Sequence, residues 1–193
     1  MLTYRDLPVV SFESEQDFDT WLAANHEKEK GFWLRYYKKG SNIPTIRHEQ
    51  AVDVALCWGW IDGLLNKYDD ISYVVRFTPR RPKSTWSQVN VAKVEKLLQA
   101  GRMQPSGLAQ VELAKQDGRW DIAYAPASKM EVPADFIELL KQEPETYAFY
   151  LSLNKTNLYT IGYRLTTTTD PVKRAKKANQ ILEMLRNKQT FTK

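Results

Sequence analysis

The chain has 193 residues, with 28 Lys/Arg against 23 Asp/Glu for a formal charge of +5, and a single cysteine. That length supports one generous domain or two small ones, burying roughly two-thirds of the unfolded surface without help from a disulfide or metal. Cys57 has no internal disulfide partner, and no basic-then-apolar signal or membrane-length apolar run is read, so a reducing, cytoplasmic setting is expected. The charge is uneven: Pro171 to Lys193 holds seven Lys/Arg and one Glu, leaving 21 Lys/Arg and 22 Asp/Glu in the residues before it. The basic character belongs mainly to the tail.

In chain order, "SEQDFDTWLAANHEKEK" begins with a capping-box pattern, Ser14 and Asp17, and sets Phe18, Trp21 and Leu22 on one helical face. Gly31 ends that helix. "FWLRYYKK" then reads as a strand in which Phe32, Leu34 and Tyr36 alternate with Trp33, Arg35 and Tyr37, closed by Gly40 and Pro44. "EQAVDVALCWGW" fits a largely buried helix, because Val52, Ala55, Leu56 and Gly59 recur at helical offsets and Ala51, Val54 and Trp58 widen the stripe. In "DGLLNKYDDISYVVRFTPRRP" the period changes to alternation, with Val74, Arg76, Thr78 and Arg80 on one face and Tyr73, Val75 and Phe77 on the other. A strand with one cationic face is exposed there or lines a site.

After Pro82, "STWSQVNVAKVEKLLQAGRM" predicts a helix capped by Thr85 and Gln88, with Val91, Val94 and Leu98 on its apolar face and Gly101 at its end. "PSGLAQVELAKQDGRW" predicts a shorter one with Pro105 in the first turn and Gly118 at the end. "YAPASKMEVP" lacks periodicity and reads as a linker. Beyond it, "PADFIELLKQEPETYAFYLSL", "NLYTIGYRLTTTTD" and "PVKRAKKANQILEMLRNK" predict short-connected helices; Thr166 to Thr169 are expected to fray before Pro171. The expected class is α+β: a mixed domain over 1–125, with a small antiparallel sheet packed by helices, followed by a helical region over 126–193.

Several chemistries lack support. His26, His48 and Cys57 have no metal-ligand spacing, and the eight glycines form neither a P-loop nor a dinucleotide fingerprint, so no metal or cofactor is expected. Cys57, inside an apolar helix, reads as a core residue rather than a nucleophile. The strongest constellation is "RFTPRRPKSTWSQVN". Arg76, Arg80, Arg81 and Lys83 precede a predicted helix N-terminus, Ser84, Thr85 and Ser87 add hydroxyl donors, and Trp86 adds a flat apolar wall. Two readings stand side by side: an anion site stiffened by Pro79 and Pro82, or a solvated basic turn with helix capping. Asp62, in "CWGWIDGLLNKYDD", is either a turn residue before Gly63 or the orienting partner of Arg76, in preference to a catalytic acid.

The ordered motifs "ALCWGWIDG", "RFTPRRPKSTWS" and "GRMQPSGLAQVELAKQDGRW" resemble the YdeI/OmpD-associated family of bacterial proteins, also called bacteriocin-protection proteins. The resemblance is close from about Gly31 to Trp120 and weaker beyond, where "TTTTDPVKRAKK" stands in place of the family's Ala-Lys pair and Thr-Arg turn. It implies a role in envelope stress or tolerance of bacteriocins, and no reaction. The lead expectation is therefore a non-enzymatic binding protein holding a small anionic or aromatic ligand or a peptide. Its candidate contacts are Trp58, Trp60, Asp62, Arg76, Arg80, Arg81, Lys83, Trp86 and Ser87. An enzyme using Asp62 on an anionic substrate is the alternative, and nucleic-acid binding through Lys173, Arg174, Lys176 and Lys177 is disfavoured, since a basic helix is more often a solvated face.

Overall fold

Helix α1 (Glu15–Asn25) starts where the capping box places it: the Asp17 N–H donates to Ser14 Oγ at 3.2 Å, and the Ser14 N–H to the Asp17 carboxylate at 3.0 Å. The computed structural model describes residues 2–192, which pack into two compact units. The first runs to Ser84 and resumes over Asn90–Asp121; the second takes Thr85–Val89 and everything from Ile122 onward.

The first unit is built on a five-stranded sheet, β1 (Thr3–Tyr4), β2 (Leu7–Val10), β3 (Phe32–Tyr37), β4 (Trp60–Lys67) and β5 (Ser72–Pro79), in the order β1-β2-β3-β5-β4. It is mixed rather than purely antiparallel, because β2 pairs in parallel with β3 and α1 supplies the crossover that such a pair requires. The predicted alternation of β5 is observed. Tyr73, Val75 and Phe77 join Phe32, Leu34, Tyr36 and Trp60 in one core, to which α1 contributes Phe18 and Leu22 and α2 (His48–Cys57) contributes Ala51, Val54 and Ala55. Each fully buried Phe there stabilises the fold by on the order of 2 kcal/mol. The opposite face carries a smaller cluster of Val9, Trp33 and Val74, with Tyr4, Leu7 and Tyr68 against it.

Within "WGWIDG" only Trp58 and Gly59 form a turn. β4 begins at Trp60, so Asp62 lies inside the edge strand, and the register breaks between Asp62 and Leu65 in a bulge containing Gly63 and Leu64. Helix α3 (Gln88–Gln99) also starts later than the Thr85 cap implies. Gly101 ends it at φ +65°. Helix α4 (Pro105–Gln116) approaches the end of α2 closely: the Gln104 N–H donates to Cys57 O at 3.0 Å and Ser106 Oγ to Trp58 O at 3.0 Å. Those bonds satisfy carbonyls that a helix end leaves open. Only glycine fits at 107, because a Cβ there would drive into the Cys57 carbonyl.

In the second unit, α5 (Ala134–Lys141), α6 (Pro144–Leu151), α7 (Lys155–Thr166) and α8 (Pro171–Arg186) enclose Phe136, Leu140, Tyr150, Ile161, Leu165 and Leu185. α7 ends at Thr166, so the threonine run leaves the helix before Pro171, and Thr167 and Thr168 donate their hydroxyls to Tyr163 O at 2.6 Å and Arg164 O at 2.7 Å. Asp170 then caps α8.

Candidate functional site

The cationic face of β5 lines a cavity. Ile61 and the Gly63–Leu64 bulge of β4, with Arg76, Thr78 and Pro79 of β5 and then Arg81 and Ser84, enclose about 220 Å³. Strand parity puts them together: Arg76 and Thr78 point away from the core that takes Val75 and Phe77. The bulge matters because two β4 residues stand opposite Arg76, and one of them, Gly63, has no side chain to fill the space.

The loop after β5 is braced into position. The Ser84 N–H and Oγ both donate to Arg81 O, at 3.0 and 2.6 Å, which makes 81–84 a tight turn with Lys83 in the left-handed region at φ +68°. Arg119 Nη1 donates to Ser84 O at 2.8 Å, and Arg119 Nε is in turn held by Asp117 at 2.7 Å. The Arg119 hydrogen bond holds the Asp117 carboxyl below its usual range, and Lys83 pulls it in the same direction. Asp117 is thus committed to the brace.

Arg76 is the unusual member. Its Nε is buried without a hydrogen-bond partner, and among the described residues no carboxylate pairs with either Arg76 or Arg81. On the same sheet face, Trp33 stands beside Arg76 in register and Asn66 beside Val74, and Trp33 Nε1 and Asn66 Nδ2 are also buried donors without partners. Leaving one buried donor unsatisfied costs roughly 1–3 kcal/mol. The face collects donors, and its cavity lining offers no carboxylate to meet them.

The remaining candidates lie elsewhere. Asp62 does not orient Arg76: it pairs in register with Phe77, on the opposite side of the sheet, and its carboxylate sits 3.3 Å from His48 Nε2. His48 Nδ1 lies 3.4 Å from the Tyr36 hydroxyl, whose ionisation burial pushes far upward, with Tyr73 and Asp62 adding to the effect. Asp62 therefore ties the edge strand to the start of α2. Trp60 is buried in the main core at 1 % exposure, and Trp58 donates its Nε1 to Asp19 at 2.8 Å while packing against His26. Arg80 is buried, its N–H bonded to Gly59 O at 2.9 Å. Trp86 and Ser87 belong to the second unit, where Trp86 is 2 % exposed and Ser87 bridges to Tyr124. Neither lines the cavity.

Of the nine predicted contacts, Arg76 and Arg81 line the cavity. Sequence reasoning missed Ile61, Leu64 and the brace Arg119. A bulge leaves no periodic signature, and an arginine 35 residues beyond Ser84 has nothing local to mark it. Cys57 is buried, and burial pushes its thiol up to about 11, against a role as nucleophile. Among the described residues, no cluster of His, Cys, Asp and Glu is placed to hold a metal ion, and no helix is long and apolar enough to cross a membrane.

Two family models match the chain. One, described as a domain of unknown function, DUF8412, covers residues 10–110; the other, described as "Bacteriocin-protection, YdeI or OmpD-Associated", covers residues 129–188. No curated protein and no solved structure matches it. The resembled family is thus found, but in the C-terminal helices rather than over Gly31 to Trp120. The motifs that suggest it fall largely in the other match. Through residues 10–110 the chain belongs to the DUF8412 family, and over residues 129–188 it is similar to the bacteriocin-protection, YdeI or OmpD-associated family.

Proposed function

We infer that the protein is a non-enzymatic binding protein of the bacteriocin-protection type, and that its first unit takes a small organic anion in the Arg76/Arg81 cavity. The observation that carries this reading is the buried, unpartnered Nε of Arg76 on a lining with two arginines and no carboxylate. Ile61, Leu64 and Pro79 give that lining an apolar side, so the fitting ligand joins an anionic group to an apolar body. Thr78 supplies a hydroxyl for orientation, whereas that of Ser84 is already given to Arg81 O. A volume near 220 Å³ sets the size at a single ring or a short chain.

The C-terminal match supports the stress-related role at the level of the family. The nucleic-acid alternative has less behind it, since Arg174 and Arg186 of the basic tail are engaged by Asp135 and Glu143.

Thermal unfolding in the presence of benzoate tests the site. A ligand at about 100 times its Kd stabilises the native state by about 2.7 kcal/mol, which for a chain of this size is a shift of several degrees. The response should vanish in Arg76→Gln and weaken in Arg81→Gln. An undiminished response in both variants would refute the site.

A further inference from the structure

We propose that the second unit carries a separate binding site for a small apolar monocarboxylate, in the cavity bounded by α7, α8 and the chain after α8. The lining is Arg164, Lys177, Gln180, Ile181, Met184 and Phe191, around about 180 Å³. The inference does not depend on the first-unit site.

The pocket is built by polar contacts that the helix core does not need. Asn157, 2 % exposed, accepts hydrogen bonds from the N–H groups of Phe191 and Thr192 at 2.9 and 3.2 Å and donates to Thr192 O at 3.1 Å. Those three bonds fold the chain back after α8 and hold the Phe191 ring in place. Arg164 then stacks on it, with its guanidinium carbon 4.5 Å from the ring centroid. Stacking fixes the plane of the guanidinium while leaving its N–H edge available.

The other cation is fixed by the threonine run. Thr168 donates its hydroxyl to Arg164 O and accepts from Lys177 Nζ at 2.7 Å, so one hydroxyl ties the Lys177 ammonium to the backbone of α7 at Arg164. Lys177 retains two further donors, and the Arg164 guanidinium makes no hydrogen bond or ion pair with the described residues. The carboxylates of the neighbourhood are spent elsewhere: Glu183 on Arg186 and Asp170 on the α8 cap. Two converging cations over a floor of Ile181, Met184 and Phe191 suit a carboxylate with a short hydrocarbon body. A bare inorganic anion would leave the floor unused, and a neutral alcohol would leave the cations unmatched. The volume lies below that of drug-sized pockets, which confines the ligand to about the size of hexanoate. Met184, flexible and polarizable, adapts the floor to the hydrocarbon.

The test is a titration of the full chain carrying methyl-labelled methionine, followed by NMR at the Met184 methyl. Hexanoate should shift that resonance saturably, whereas hexanol and inorganic phosphate should not at equal concentration. Arg164→Gln and Lys177→Gln, neither of which breaks an ion pair, should each weaken hexanoate binding by about tenfold or more, and Arg76→Gln should leave it unchanged. The proposal is overturned by a silent Met184 resonance, by equal binding of hexanol or phosphate, or by undiminished binding in both second-unit variants. Loss in Arg76→Gln alone would assign hexanoate to the first unit and overturn it too.

Discussion

The cavity arginines of the first unit and the α8 arginines of the second are used in opposite ways. In the first, Arg76 and Arg81 face a cavity with no counter-ion, and the fold is carried by a continuous aromatic and aliphatic core on the other side of the sheet. In the second, the arginines of α8 are structural clamps. Arg174 grips Asp135 with two hydrogen bonds of 2.7 and 2.8 Å, and Arg186 grips Glu143, the residue before α6. The basic tail that dominates the charge of the chain is thus partly neutralised where it folds, while the nearly neutral remainder holds the unmatched arginines. Net charge locates a basic segment. It does not locate the cations that lack partners.

That contrast can be broken at points of decreasing consequence. Gly107→Ala forces a Cβ into the backbone of α2 and should destabilise the first unit by about 3 kcal/mol in denaturant unfolding, whereas Gly40→Ala, which meets nothing, should leave it unchanged. Asn157→Ala strips the buried amide from the chain after α8. A loss of roughly 2 kcal/mol is expected, with Phe191 released from Arg164, and retention of full stability would contradict the pinning role.

Replacing arginine by leucine separates the units most cleanly. Arg174→Leu should cost up to about 1 kcal/mol, since its pair is partly exposed. Arg76→Leu should be neutral or stabilising by about 1 kcal/mol, because it removes a buried donor without a partner, while abolishing the benzoate response. Equal destabilisation by both changes would erase the distinction.

The smallest effect is on pH dependence. The Arg186 hydrogen bond lowers the Glu143 carboxyl from its ordinary 4.5 to about 2. A depressed carboxyl contributes stability that is fully present above its unfolded-state value and is lost as pH falls toward the folded-state one. Glu143→Gln should therefore flatten the stability profile between about pH 4.5 and 2, and an unaltered acid limb would show the clamp to be inert.

What the sequence makes legible is local. The Ser14–Asp17 cap, the alternation of Phe32 to Tyr37 and of Tyr73 to Phe77, and the glycine after α3 are written within one turn or one strand, and each is found in place. What it hides is non-local or a matter of parity. β2 shows no pattern of its own because its four residues are a strand only through pairing, Leu7 and Pro8 with β1 and Val9 and Val10 with β3. Asp62 reads as a turn residue or as the partner of Arg76 because a short connection leads from it to that strand, yet it lies in β4, where a shift of one residue decides the face, and it shares its face with Phe77. The tryptophans read as packing or as pocket wall, since the same large ring serves either, and Trp60 fills the core at 1 % exposure. For the candidate site, Arg76 and Arg81 are visible as charge, but the bulge at Gly63 and Leu64 that opens space before them is not.

The central claim is that the unmatched Nε–H of Arg76 is a ligand donor, and its own NMR resonance reports on it directly. Titration with benzoate should move that resonance downfield and slow its exchange with water as the carboxylate accepts the hydrogen bond. A resonance that stays in place while benzoate saturates the protein, or that already shows a slowly exchanging, hydrogen-bonded proton without ligand, would contradict the account.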